Sequence, residues 1–416
     1  MRFVRLIFLV LSVLFFIPSL IAQEDIKVRY KGANLSIESK KDNFKLEIKN
    51  HYYLDAGGFI PVADFNMLRR DDKEIEMNGD VNFYKLQTLF QGKFDQHWGY
   101  KFEFDYAKSK LQYLSMELDY YFNKSNFMRV GNMKVPGSMS INHSTSAILQ
   151  FTKPMGLSLG SGRRMGLAYY HTAPRLYYAL GLYTYNMNDL VQNHLHGEPE
   201  FAMATRLGYQ FIYKDDEKLF AAINGYYYRP QDGLLPLDLK GGIESSLSGQ
   251  RFVRTIVPES RNLFNIGAEM AYQKGHFLTY AELLGTSVTT DRSDKNPLFL
   301  GWSATATYVI LGQPRAYKSS NGDFSGSPYT EDDKGLEVGA RVSGLSLNSE
   351  EFVGGSGVSY SAFVSYWLNR HLTLLAQVSY LDHAADALGG NAYSISDSPF
   401  RGADFMAFQL RAAIAF

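Results

Sequence analysis

Cysteine is absent from the 416 residues, which excludes a disulfide framework and a thiolate metal site. Past residue 22, no stretch reaches the ~20 consecutive apolar residues that a membrane-spanning helix needs. An excess of one charge is missing too. The 42 Lys and Arg balance 42 Asp and Glu, so the chain lacks the basic patch that nucleic acid demands. Helical spacing of apolar residues, at three- and four-residue steps, is weak throughout. There is no His-Glu-x-x-His string and no phosphate-cradling glycine loop followed by Lys. The sequence thus offers no strong catalytic motif and implies no cofactor.

What is present begins with a leader. Arg2 and Arg5 precede an uncharged apolar core from Leu6 to Ile17; Pro18 breaks it and the small residue Ala22 ends it. That is the layout of a secretory signal peptide over residues 1–22, with cleavage expected after Ala22 or Gln23. The apolar run is short for a membrane anchor. Removing Arg2 and Arg5 from the 42 basic residues leaves 40 against 42 acidic ones, a mature net charge of −2. Residues 23–43 are charged, poor in large apolar side chains, and read as a loosely ordered periplasmic lead-in. An exported chain without a spanning helix is secreted, periplasmic or a β-barrel.

Aromatics make up 15% of the chain, with 29 Tyr and 29 Phe, residues that strands favour. From Phe44 onward the chain alternates. Tyr100, Phe102, Phe104 and Tyr106 interleave with Lys101, Glu103 and Asp105. At the carboxy terminus Phe408, Leu410, Ala412, Ile414 and Phe416 fall on one face, and Gln409, Arg411, Ala413 and Ala415 on the other. A membrane barrel needs this pattern, because lipid covers one face and a watery lumen the other. The rhythm predicts strands near 44–57, 82–94, 99–108, 112–123, 126–134, 163–173, 175–186, 201–214, 217–229, 262–274, 276–288, 298–311, 335–347, 357–369, 371–382 and 404–416. The fold class is all-β, a transmembrane antiparallel barrel of about sixteen strands over 44–416, an even number that puts both termini on one side.

Connections test the count. With the first strand running outward, those after even strands should be tight periplasmic turns, and 95–98, 123–125, 173–174, 215–216, 274–275 and 369–371 fit. Those after odd strands should be long, as 58–81, 135–162, 187–200, 230–261 and 383–403 are. The short link 109–111 breaks the pattern, and so does 312–334, a long segment on the tight-turn side. Long loops inside a rigid scaffold are usually functional. The Gly-rich 354–357 reads as a surface loop between two strands.

Several strings resemble the phosphate-selective porin O and P family. They are Lys101-Phe-Glu-Phe-Asp-Tyr106, Phe127-Met-Arg-Val-Gly-Asn-Met-Lys-Val-Pro-Gly137, Gly162-Arg-Arg-Met-Gly166, Leu311-Gly-Gln-Pro-Arg-Ala-Tyr317 and Phe408-Gln-Leu-Arg-Ala-Ala-Ile-Ala-Phe416. Each string is weak alone; their order and spacing over roughly 44–416 are more specific. The resemblance implies a sixteen-stranded outer-membrane porin, usually a homotrimer, that passes small anions such as phosphate. It further implies loops folded into the lumen, joined there by a periplasmic turn, which would account for 312–334. By position in those strings, Lys134, Lys153, Arg163, Arg164, Arg315 and Lys318 become candidates for the anion path. Phe416 would sit at the periplasmic rim, where the barrel-assembly machinery of Gram-negative-type cells reads such endings.

A planar guanidinium can give a phosphate two hydrogen bonds, whereas Lys acts as a compact charge. The competing reading pairs these residues with lumen carboxylates such as Glu103 and Asp105, holding loops in place. Lys101, Arg129 and Arg411 are lumen-wall candidates by alternation, with the same two readings. Alternation alone does not trace a continuous ladder of Arg and Lys. Aromatics such as Tyr52, Tyr53, Trp98, Tyr120, Tyr121, Tyr226–Tyr228, Trp302 and Trp367 lie near predicted strand ends and suit a membrane interface; a sugar track is the alternative. His194-x-His196-x-Glu198 lacks a third His and reads as solvated loop. Glu331-Asp-Asp333 reads as a solvated turn, with a hard cation such as Ca²⁺ as the sharper option. The function this predicts is passive diffusion of small hydrophilic solutes through an outer-membrane porin, with no metal and no enzyme activity. The rivals are an outer-membrane barrel hydrolase and a secreted or periplasmic β-sheet protein that binds ligands.

Overall fold

The computed structural model describes all residues except 1–25, 32–33, 42, 63–68, 71–72, 75–78, 108–109, 144–149, 193–197, 234, 330–333, 385 and 388–403. The leader 1–22, His194, His196 and Glu331-Asp-Asp333 therefore lie outside the described residues.

Sixteen antiparallel strands close on themselves. They are β1 (Phe44–Pro61), β2 (Asp80–Phe94), β3 (Trp98–Asp105), β4 (Gln112–Tyr121), β5 (Asn126–Lys134), β6 (Arg163–Thr172), β7 (Leu176–Tyr183) and β8 (Phe201–Tyr213). The second half is β9 (Glu217–Arg229), β10 (Arg254–Lys274), β11 (Phe277–Thr290), β12 (Leu298–Leu311), β13 (Gly335–Ser349), β14 (Phe352–Trp367), β15 (Leu372–His383) and β16 (Phe405–Ala415). Each pairs with the next, and β16 closes on β1 with Arg411 opposite Asp55 and Ala413 opposite Tyr53.

The faces sort as alternation requires. On β16, Phe408, Leu410, Ile414 and Phe416 are exposed on the outside, while Gln409, Arg411 and Ala413 are buried inside. Leu180, Leu182, Leu207, Ile223, Ile266 and Leu283 continue the exposed apolar surface around the barrel. Such a surface suits lipid as its solvent. No helix among the described residues is long and apolar enough to cross a membrane.

Two local expectations are corrected. Gly354–Gly357 is not a loop but part of β14, joined to β13 by the tight turn Glu350-Glu351. A side chain at Gly354 would press on Leu347 and Thr255, so glycine lets the strand pass close to its neighbours. Residues 26–31 and 34–39 are not loosely ordered either. Ile26–Lys31 and Asn34–Ser39 form a hairpin whose second strand pairs with β1 over Phe44 to Ile48. Alternating Val28, Tyr30, Leu35 and Ile37 supply a strand pattern that the high charge obscured.

The wall is uneven. Strands β3 to β7 have 8 to 10 residues, whereas β10 to β14 have 14 to 21. A strand needs ~9–11 residues to cross a bilayer at the usual tilt, so the second half rises beyond it. Three segments fold into the lumen against that taller half. Residues 150–162 pack Met155, Leu157 and Leu159 there; 241–253 brings Ile243, Phe252 and Val253; and 312–329 brings Phe324 beside Met139 and Phe220. The inward course of 312–329 accounts for its length on the tight-turn rim. Gly322 has φ +61° and lies between the Tyr177 ring and the Arg206 guanidinium, where a Cβ would come within 3.0 Å of the ring. Only glycine suits that place.

Candidate functional site

Buried ion pairs fix the inward segments. Arg206 Nε donates to Glu269 at 2.7 Å, and its other nitrogens donate to the carbonyls of Asn321 and Gly322 at 2.7 and 2.8 Å. Glu269 also accepts from the Met139 backbone N–H at 2.5 Å, so one carboxylate ties both rims' segments to the wall. Ser140 binds Glu282 through its N–H at 2.8 Å and through its hydroxyl. Glu244, at φ +53°, meets Arg341, Ser343 and Ser359 of the wall and accepts from the Met155 N–H at 2.6 Å. Removing one partner from such a pair costs ~3–5 kcal/mol, whereas a rim pair such as Lys295–Glu350 is worth ~0–1 kcal/mol. The first kind, not the second, sets the lumen's shape.

With the taller half filled, an open cavity of about 830 Å³ remains along the shorter half. Lys49, Lys101, Lys124, Arg129, Lys134, Arg163, Lys318 and Arg370 border it, against Glu103 and Glu117. Eight cationic side chains thus face two carboxylates.

Among the residues singled out from sequence, Lys134, Arg163, Lys318, Lys101 and Arg129 come together at this cavity. Lys134 and Arg163 are direct cross-strand partners. Lys153 does not border it but is an electrostatic neighbour of Lys134 and Arg163. Arg164 turns elsewhere, to Glu200 at 2.5 Å and the Tyr226 hydroxyl at 2.9 Å. Arg315 is buried against Glu337 at 2.8 and 2.5 Å and donates to Gly326 O at 3.0 Å. Arg411 is bidentate to Asp55 at 2.6 and 2.7 Å and holds Phe151 O at 3.0 Å. These last three fasten loops and walls.

How the cations are held decides their electrostatic weight. Arg129 spends its guanidinium on Asp119 at 2.7 and 2.9 Å and on Glu117 at 3.0 Å. Arg163 and Lys101 both lean on Glu103. Lys134 donates to the carbonyls of His143 at 2.5 Å and Asn142 at 3.4 Å. Among the described residues, no salt bridge reaches Lys124, Lys134, Lys153 or Lys318. Lys153 is exposed to the lumen yet enclosed by the wall, and that enclosure, with Arg163 nearby, pulls its ammonium down to about 8. Burial lowers Lys318 as well.

Sequence reasoning missed Lys49, Lys124, Arg370 and, higher up, Lys85, whose ammonium lies 5.0 Å over the Tyr53 ring. Lys49 was on the polar face of its strand; the others gave no signal beyond charge. The aromatics also divide. Trp98 and Tyr120 lie on the outer surface 5.0 Å apart, whereas Tyr53, Tyr121 and Trp367 border the cavity. One Gly-x-Ser-x-Gly spacing does occur, Gly156-Leu-Ser158-Leu-Gly160. It lies on an in-folded segment at a 3-10 turn, not a strand-to-helix elbow, and Ser158 Oγ accepts from the Gly242 N–H at 3.2 Å. Among the described residues, no cluster of His, Asp and Glu is placed to hold a metal.

A model of the family described as phosphate-selective porin O and P matches residues 57–387. No curated protein matches the sequence. Among solved structures, the anion-selective porin from Comamonas acidovorans is similar at TM-score 0.56 and 12% identity, over 90% of this chain and 100% of its own. The outer membrane channel DcaP of Acinetobacter baumannii gives 0.55 and 11%, over 91% and 99%. OmpT of Vibrio cholerae, an outer membrane protein in its trimer form, gives 0.53 and 11%, over 90% and 99%. At these identities the likeness is one of fold.

Proposed function

The chain belongs to the phosphate-selective porin O and P family and is an outer-membrane porin, and from that premise we propose that its passage selects small anions. The observation that carries the reading is the unequal lining of the cavity, eight Lys and Arg against two Glu. Charges on a low-dielectric wall focus their field on a passing ion. Here Lys124, Lys134 and Lys318, which no salt bridge reaches among the described residues, leave that field positive. Lys134, Arg163 and Lys318 carry the path, with Lys101 and Arg129 in its wall and Lys153 adding its charge from beside Lys134 and Arg163. Arg164, Arg315 and Arg411 serve it indirectly by keeping the lumen's filling in place. Phosphate is one anion such a field would admit.

The same reading includes export behind a cleaved leader over 1–22, and assembly as a homotrimer, the form of the Vibrio cholerae relative in fold. Phe416 acts as the ending read by barrel-assembly machinery. As a diffusion channel the protein performs no catalytic step. A planar-bilayer recording in a salt gradient tests this: a reversal potential on the chloride side supports it, and current carried mainly by cations overturns it.

A further inference from the structure

The cavity that carries the lysines also carries rings: Tyr53, Tyr121, Phe127, Tyr170 and Tyr177 border it. Cations lie over their faces. Lys85 is 5.0 Å from the Tyr53 centroid, Lys93 4.7 Å from Tyr121, and Arg206 5.0 Å from Tyr177. Arg129 is 5.4 Å from both Phe127 and Tyr170, which stack 4.8 Å apart at 8°. A ring whose face is taken by a cation has its electropositive edge left for other neighbours. Such edges attract anions, yet they cannot replace water of hydration with strong hydrogen bonds.

Two of the three cavity arginines that could replace it are committed to carboxylates. A tightly hydrated oxyanion is best stripped by arginine forks. Here Arg129 is bound to Asp119 and Glu117, and Arg163 gives Nη2 to Glu103 at 3.1 Å. The cavity cations without salt bridges among the described residues are Lys124, Lys134, Lys318 and Arg370. The three lysines are compact charges that select sign more than shape. The one arginine, in the turn after β14, gives its Nε to His371 at 3.2 Å. The volume, about 830 Å³, is also far larger than an inorganic ion needs.

We propose that, within the anion selectivity argued above and resting on it, the passage favours weakly hydrated anions over phosphate. Aryl carboxylates are the organic class it takes. The ammonium groups admit negative charge, and the ring edges hold a polarisable or planar body against the wall.

Bi-ionic reversal potentials on the purified full chain test this, with chloride on one side and thiocyanate, benzoate or phosphate on the other. Thiocyanate and benzoate should permeate better than chloride, and phosphate worse, each by about threefold, the scale of one ring contact. Tyr121→Gln should flatten that order while keeping the preference for anions over cations. Lys134→Gln should weaken that preference and keep the order. Phosphate permeating as well as chloride overturns the proposal and leaves anion selectivity standing, and so does an order unchanged in Tyr121→Gln. Loss of all anion preference in the wild type overturns the reading beneath it. The wild-type order decides the matter even where a variant fails to assemble.

Discussion

Arg163 and Lys101 share a single carboxylate oxygen. The Arg163 Nη2 lies 3.1 Å, and the Lys101 Nζ 3.5 Å, from the same Oε2 of Glu103. Lys101 also lies 4.0 Å from Glu117, which Arg129 meets at 3.0 Å, so the Glu103 charge is what keeps this cluster of the cavity wall balanced. Replacing Glu103 with Gln should therefore strengthen anion preference. In a salt gradient, the zero-current potential should move further toward the chloride limit; an unmoved value would place Glu103 outside the path.

The paired arginines Arg163 and Arg164 should separate in function. Arg163→Gln removes a charge at the cavity and should shift the zero-current potential toward zero. Arg164→Gln breaks contacts to Glu200 and Tyr226 away from the cavity, and should leave that potential where it is. Equal shifts would show that the cavity is not the selecting segment.

Selectivity should depend on pH through Lys153. Its ammonium is lowered to about 8, first by enclosure and then by Arg163, so it is charged below that pH and neutral above it. Raising pH from 6 to 9 removes a positive charge from the lumen, and anion preference should fall most steeply near pH 8. Lysine 318 is lowered in the same direction by burial and adds to the decline. Reversal potentials measured across that range check the slope, and Lys153→Gln should flatten it near pH 8.

Glu244 should be a stability determinant. Glu244→Gln leaves the buried Arg341 without its charge partner, a change that costs ~3–5 kcal/mol. Thermal unfolding followed by circular dichroism should show a clearly lower Tm, with conductance raised if segments 135–162 and 241–253 loosen. The exposed Lys295→Gln should shift Tm little, because its pair with Glu350 is worth ~0–1 kcal/mol. Similar Tm values for the two variants would refute the ranking.

Period-two alternation was enough to find all sixteen strands, because the wall has one lipid face and one lumen face almost everywhere. It was also enough to put Lys101, Arg129 and Arg411 on the inner side. It fails where the pleat slips. Arg129 and Lys134 are five residues apart and would alternate to opposite faces, yet both border the cavity. Gly131, at φ +125°, lies between them, a backbone state that a side chain would oppose. Nor could the sequence tell cancelled cations from free ones. Arg315 finds Glu337 at 22 residues' distance, Arg206 finds Glu269 at 63, and Arg411 finds Asp55 at 356. Such pairings depend on which segments enter the lumen.

The seam of the barrel has a consequence for how it forms. Asn50 N donates to Phe416 O at 2.6 Å and Phe416 N to Asn50 O at 3.2 Å, a contact spanning 366 residues. Just below it, the edge of β1 is already taken by Asn34–Ser39, a neighbour only a few residues away along the chain. One part of that edge can zip to its near neighbour at once, while the other must wait for β16, more than 340 residues further along the chain. Contacts of such separation are the slow ones in folding. Until it closes, β1 presents an unpaired edge open to any passing strand, the hazard that chaperones exist to cover.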